Sequence, residues 1–73
     1  MTINAIIHAD QDGYYAECLE VAVVTQGGTL DEVVRNLNEA LSLHLEGEDL
    51  HALGLAEPLH LRVTFEAPLS LMR

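Results

Sequence analysis

Between an apolar run and an amphipathic one lies Thr25-Gln26-Gly27-Gly28-Thr29-Leu30-Asp31-Glu32, and this segment constrains the chain more than any other. The apolar run Val21–Val24 stops at a glycine pair. Thr29 has the chemistry of a helix N-cap. Glu32 follows at the spacing where its carboxylate reaches back to the cap's own N–H, which makes a capping box. A strand, a tight glycine turn and a capped helix are therefore predicted within about a dozen residues.

The helix is predicted from Leu30 to about Glu46. At about 100° per residue, Leu30, Val33, Val34, Leu37, Ala40, Leu41 and Leu45 share one stripe, while Asp31, Glu32, Arg35, Glu39, Ser42 and Glu46 fall opposite. Asp31 and Glu32 sit in the first turn, where the helix dipole favours acids. Gly47 is placed to end the helix in the left-handed conformation. Upstream, Thr2–Ala9 alternates as a first strand, Asp12-Gly13 is the tip of a hairpin, and Tyr14–Leu19 is a second strand. Val21–Gln26 reads as a third strand, rich in β-branched residues. A single helical turn is expected near residues 49–54, and Leu59–Glu66 is a final strand stopped by Pro68.

The fold class is thus α+β, in the order β-β-β-α-β. An antiparallel three-stranded meander is joined by a fourth strand, with one long amphipathic helix packed on one face. Residues 1–73 form a single domain, with 66–73 expected as a mobile tail. The valine run is apolar on both faces of its strand, and one helix covers only one face. Leu43 also points about 120° away from the stripe. Val21, Val23, Val24 and Leu43 are therefore the expected interface of a homo-oligomer, a dimer or tetramer.

A chain of 73 residues has a thin stability margin, and Cys18, its one cysteine, offers no cystine framework. An unpaired thiol fits a reducing compartment, and Cys18 reads as a small core residue. Twelve acidic residues against three arginines and no lysine give a net charge of −9. That balance disfavours direct nucleic-acid binding, which needs clustered cations. It suits solubility, or steering toward a basic partner. The start lacks a signal-peptide pattern and no window is long enough to span a membrane, so a cytoplasmic location is expected.

No catalytic or metal constellation stands out. Asp10, Asp12 and Gly13 resemble the start of a calcium loop, but Val21 stands where the closing glutamate belongs. His8, His44, His51 and His60 show no helical metal-site spacing. His44 is expected to be partly buried, bonding to the last free helix carbonyls, with metal ligation or a pH-sensitive interface as alternatives. Acids at the helix start would repel a phosphate from Gly27-Gly28. No nucleophile–base motif is present. The chain is therefore expected not to be an enzyme and to need no cofactor or metal.

The ordered set Gly13-Tyr14-Tyr15-Ala16, Gln26-Gly27, Thr29-Leu30-Asp31-Glu32 and Asn38-Glu39-Ala40-Leu41 resembles the N-terminal domain of the HicB family of antitoxins. The resemblance runs from Asp12 to Leu41, and the last strand agrees with it. It implies a degenerate RNase H-like fold, an oligomer, and a protein-binding role. The partner it implies is a small, basic, mRNA-cleaving HicA-like toxin, whose surface the antitoxin masks. Asp10, Asp12, Glu17, Glu20, Asp31 and Glu32 are the expected partner-binding residues. Many members carry a C-terminal DNA-binding domain; none is seen up to Arg73, so operator binding is not expected. Val21–Val24 stands where family members often have Pro-Gly-Cys. The alternative is a stand-alone oligomeric HicB-like module with no toxin, serving another binding or regulatory role.

Overall fold

The computed structural model describes residues 1–71. Its elements are β1 (Thr2–Asp10), β2 (Gly13–Cys18), β3 (Val24–Gly27), α1 (Leu30–Leu45) and β4 (His60–Glu66). The sheet has four strands in the order β3-β2-β1-β4. β1–β2 and β2–β3 are antiparallel, and β4 returns parallel to β1. This is the α+β class expected, with the helix following the third strand. No helix among the described residues is long and apolar enough to cross a membrane.

Alternation along β1 drives the packing. Ile3, Ala5 and Ile7 point to the helix side and are buried, joined by Ala16 of β2. Val33, Leu37 and Leu41 of α1 close over them, and Val23 and Leu55 complete the core. The helix lies over β3 and β2. The β4 side of the same face is less covered: Leu61 and Val63 are half-buried and Phe65 is 45% exposed.

The expectations for the valine run and for His44 need correction. The third strand begins at Val24, not Val21. Local hydrogen bonds fold residues 19–23 into a compact bend instead. Val23 N–H donates to the Val21 carbonyl (2.8 Å), and Cys18 N–H donates to the Val23 carbonyl (3.0 Å). The bend turns Val23 into the core and leaves Val21 half-buried. The valine run therefore has no second apolar strand face to cover; only Val24, at 70% exposure, lies on the helix-free side. His44, expected to be partly buried, is exposed.

The N-cap forms as expected: Thr29 Oγ1 accepts the Glu32 N–H at 3.1 Å. The reciprocal half of the capping box is not made among the described residues, and the Glu32 carboxylate is left facing outward. Gly47 takes φ 74° just past the helix end. The turn near residues 49–54 is present as a hydrogen-bonded loop rather than a helix, opened by Asp49 Oδ1 accepting the His51 N–H at 3.1 Å. Residues 67–71 carry no helix or strand, and the rest of the expected tail, Met72 and Arg73, lies outside the described residues.

Gly27 permits the helix to dock. A Cβ there would lie 2.7 Å from the Val33 nitrogen and 3.0 Å from the Val33 Cα. Backbone meets backbone at that point, and neither can move cheaply. Gly28 meets only the Glu32 carboxylate, at 3.7 Å. Gly27→Ala is expected to lower unfolding free energy by about 2 kcal/mol, and Gly28→Ala to change it far less. Urea denaturation of the two variants checks this.

Candidate partner-binding surface

The hairpin register sets the first part of the surface. Asp10 pairs with Gly13, which places the β1–β2 turn beside the end of β3, where Tyr14 pairs with Gly27. Asp10 Oδ1 accepts the Asp12 N–H at 2.8 Å and holds the turn closed. The helix starts two residues beyond Gly28, so its first turn comes to the same end of the sheet. The result is a shallow dish of about 430 Å³ lined by Asp10, Asp12, Tyr14, Gln26 and Glu32, floored by the glycine pair. Asn36 Nδ2 donates to the Gln26 carbonyl at 2.8 Å and ties the helix to the dish wall.

Three expected partner-binding residues, Asp10, Asp12 and Glu32, are thus brought together. Asp31 is exposed in the same helical turn as Glu32. Among the described residues, none of the four has a cationic side chain in salt-bridge contact. The dish is anionic and open, fitted to accept a cationic side chain rather than a phosphate. No three His, Cys, Asp or Glu side chains among the described residues converge closely enough to hold a metal ion.

Glu17 and Glu20 lie elsewhere. Glu17 is on the helix-free face, where its Oε1 meets His8 Nε2 at 3.2 Å. Glu66 Oε2 lies 3.4 Å from the other ring nitrogen. The imidazole of His8 also stacks on Tyr15, with ring centroids 4.8 Å apart. Sequence reading did not single out this cluster. The signal was available in the hairpin, because a tip at Asp12-Gly13 puts His8 opposite Tyr15.

Glu20 is at the far end of the β1–β2 pair and is committed to its own chain. Its Oε1 accepts the Asn4 backbone N–H and its Oε2 accepts the Asn4 side-chain amide, both at 2.7 Å. These bonds, the backbone one first, hold its carboxyl below the ordinary 4.5. Cys18 is half-buried beside it. Burial, and then the Glu20 charge, push its thiol up.

Of the expected oligomer residues, Val23 is inside the core and Val21 is half-buried. Val24 and Leu43 are exposed, at 70% and 65%, but on separate surfaces. Val24 is on the helix-free sheet face, whereas Leu43 is on the helix itself. The four do not form one patch.

A "UPF0150 protein" of Helicobacter pylori strain J99 is 42% identical to this chain over 46 residues, 62% of this chain and 64% of that protein. The chain therefore spans less than two thirds of that relative's length. No family model and no solved structure matches the chain.

Two outcomes follow from the Glu20–Asn4–Cys18 corner. With its thiol pushed up, Cys18 is expected to react with iodoacetamide at neutral pH more slowly than in the urea-unfolded chain, as mass spectrometry would show. Glu20 has a lowered folded value, so its stabilising share is complete above the ordinary carboxyl range and is lost as pH falls through the folded value. Thermal melts of Glu20→Gln are therefore expected to lie below the parent at pH 7, with the gap closing on acidification.

Proposed function

We propose that the chain is a HicB-like antitoxin. It neutralises a small, basic, mRNA-cleaving HicA-type toxin by direct contact, without catalysis and without a cofactor. The observation that carries this reading is the dish: Asp10, Asp12 and Glu32 meet on one open surface with Asp31 beside them, and no cation of the described chain is in contact with any of them. Lysines or arginines that a nuclease uses to hold RNA phosphates have the charge to fit there. A net charge of −9 steers such a partner in from a distance. The UPF0150 relative is consistent with a HicB-like family.

Docking at this end requires no contribution from Glu20, which is engaged with Asn4. Glu17 lies apart, on the helix-free face, with its carboxylate against the His8 ring. The dish is therefore the main contact in this reading, and occupying it would cover the toxin's cationic RNA-binding surface.

The test is to read the adjacent reading frames for a small basic protein, co-express it with this chain, and follow co-purification and growth. Growth rescue and a stable complex are expected. Asp10→Lys with Glu32→Lys is expected to weaken the complex about a hundredfold, and the parent complex to weaken as salt rises. Absence of a complex, or a complex indifferent to these changes and to salt, contradicts the reading. A lone assembly that rescues nothing points to the alternative, a stand-alone oligomeric module.

A further inference from the structure

The sheet has two edges, β3 and β4. β3 is four residues long and is hemmed in by the helix at Gly27. β4 is seven residues long, His60–Glu66, with no proline and no lysine. Its two charges, Arg62 and Glu66, are of opposite sign, so a second copy can offset them where a single-sign edge would be repelled. His60 N–H donates to the Met1 carbonyl at 2.9 Å, so by alternation the even-numbered residues of β4 face β1. Leu61, Val63 and Phe65 then turn their N–H and C=O groups outward, toward the open edge.

The side chains of the same three residues lie on the helix side, where α1 seals β1 to β3 but leaves Leu61 and Val63 half-buried and Phe65 45% exposed. Beside them, a groove of about 530 Å³ runs between the end of α1 and the start of β4, lined by Leu41, Leu45, Leu50, Leu59 and Leu61. Beyond β4, Leu69 and Leu71 are 86% and 72% exposed. The radius of gyration is 14.0 Å, against about 11 Å for a compact chain of this length, and the longest dimension is 52 Å. The tail cannot fill its own groove. It leaves the opposite end of β4, and Glu66 to Leu71 reaches about 17 Å even fully extended, with a reversal still to make.

We propose that β4 is a self-association edge. Two copies pair antiparallel through β4 about a two-fold axis, and the tail of each lies over the groove of the other. The register follows from chemistry. Like faces meet only when the axis passes at a residue, not between residues. An axis at Arg62 would set two guanidinium groups against each other, and an axis at Val63 would set Arg62 opposite threonine and Glu66 opposite His60, leaving the guanidinium without a carboxylate. An axis at Thr64 sets Arg62 opposite the partner's Glu66, Val63 opposite the partner's Phe65, and threonine opposite threonine, all favourable cross-strand pairs. It also sets Leu59, at the groove, opposite the partner's Leu69. Two chains of charge −9 repel overall, so the contact has to be locally complementary, and Arg62 supplies that complement.

Sedimentation velocity of the purified chain over a concentration series tests this, without any toxin present. A monomer–dimer equilibrium is expected. Arg62→Glu and Glu66→Arg are each expected to raise the dimer Kd about tenfold or more, and an equimolar mixture of the two to restore it as a heterodimer. Within one strand the two side chains are about 13 Å apart and cannot compensate for each other. Leu69→Ser with Leu71→Ser is expected to weaken the dimer while leaving the melting temperature of dilute, monomeric protein unchanged. A chain that stays monomeric at high concentration overturns the proposal, as does a dimer indifferent to Arg62→Glu and to the tail changes. A dimer weakened by Arg62→Glu but not restored by mixing overturns the register.

Discussion

The close approach of β3 to the backbone of α1 at Gly27 is the contact on which the rest of the arrangement depends. It draws the helix over β3 and β2 instead of centring it on the sheet. Two consequences follow from that offset. The first turn of α1 is brought against the β1–β2 turn, so that Glu32 joins Asp10 and Asp12. The β4 side of the sheet is left half-covered, with Phe65 and the groove beside Leu61 open. A bulkier residue at position 27 would push the helix off, loosening the acidic end and unsealing the core around Val33 together.

Charge is distributed by use of hydrogen bonds, not simply by exposure. Glu20 is exposed in the folded chain, yet both its oxygens are spent on Asn4, beside the bend that tucks Val23 inward. Glu17 and Glu66 share His8. Asp12, Asp31 and Glu32 keep their carboxylates free of such side-chain partners, and Asp10 bonds only the backbone of its own turn. Glu39, Glu46, Glu48 and Glu57 are exposed and free of such partners as well, but they are spread along the helix and the loop after it, whereas Asp10, Asp12 and Glu32 converge on one opening. This sorting is what separates a docking surface from general acidity.

Much of the framework was legible from local chemistry. Period-2 alternation in Thr2–Ala9, the Asp12-Gly13 tip, the Thr29 cap and the helical stripe each report a local preference, and tertiary packing agrees with them. The misses have a common cause in long-range or side-chain effects. Val21–Val23 has strand-forming residues throughout, but the Glu20–Asn4 bonds and the turn at Val21–Val23 override that propensity. Glu32 was read as the second half of a capping box, whereas it faces the dish. Meeting of Asp10 and Asp12 with Glu32 depends on where the helix lands, and no periodicity contains that. Burial of Val23 by the bend is likewise invisible to a pattern of apolar residues, and the alternation of Leu61, Val63 and Phe65 does not reveal how far the helix covers them.

The two proposed surfaces lie on opposite flanks of the sheet. The dish is at the β3 end of the strand order, and the β4 edge is about 14 Å away across β2 and β1. Edge-to-edge pairing through β4 would turn each dish outward, so self-association and capture of a basic partner do not compete for the same atoms. Pairing would instead place two anionic dishes on one rigid sheet at a fixed separation. A partner held at one dish would then leave the other free, and a dimer would carry two partners with the field of both chains acting on each approach. The thin core of a chain this small gives a second reason for such pairing: covering Leu61, Val63 and Phe65 adds buried apolar area where the single helix cannot reach.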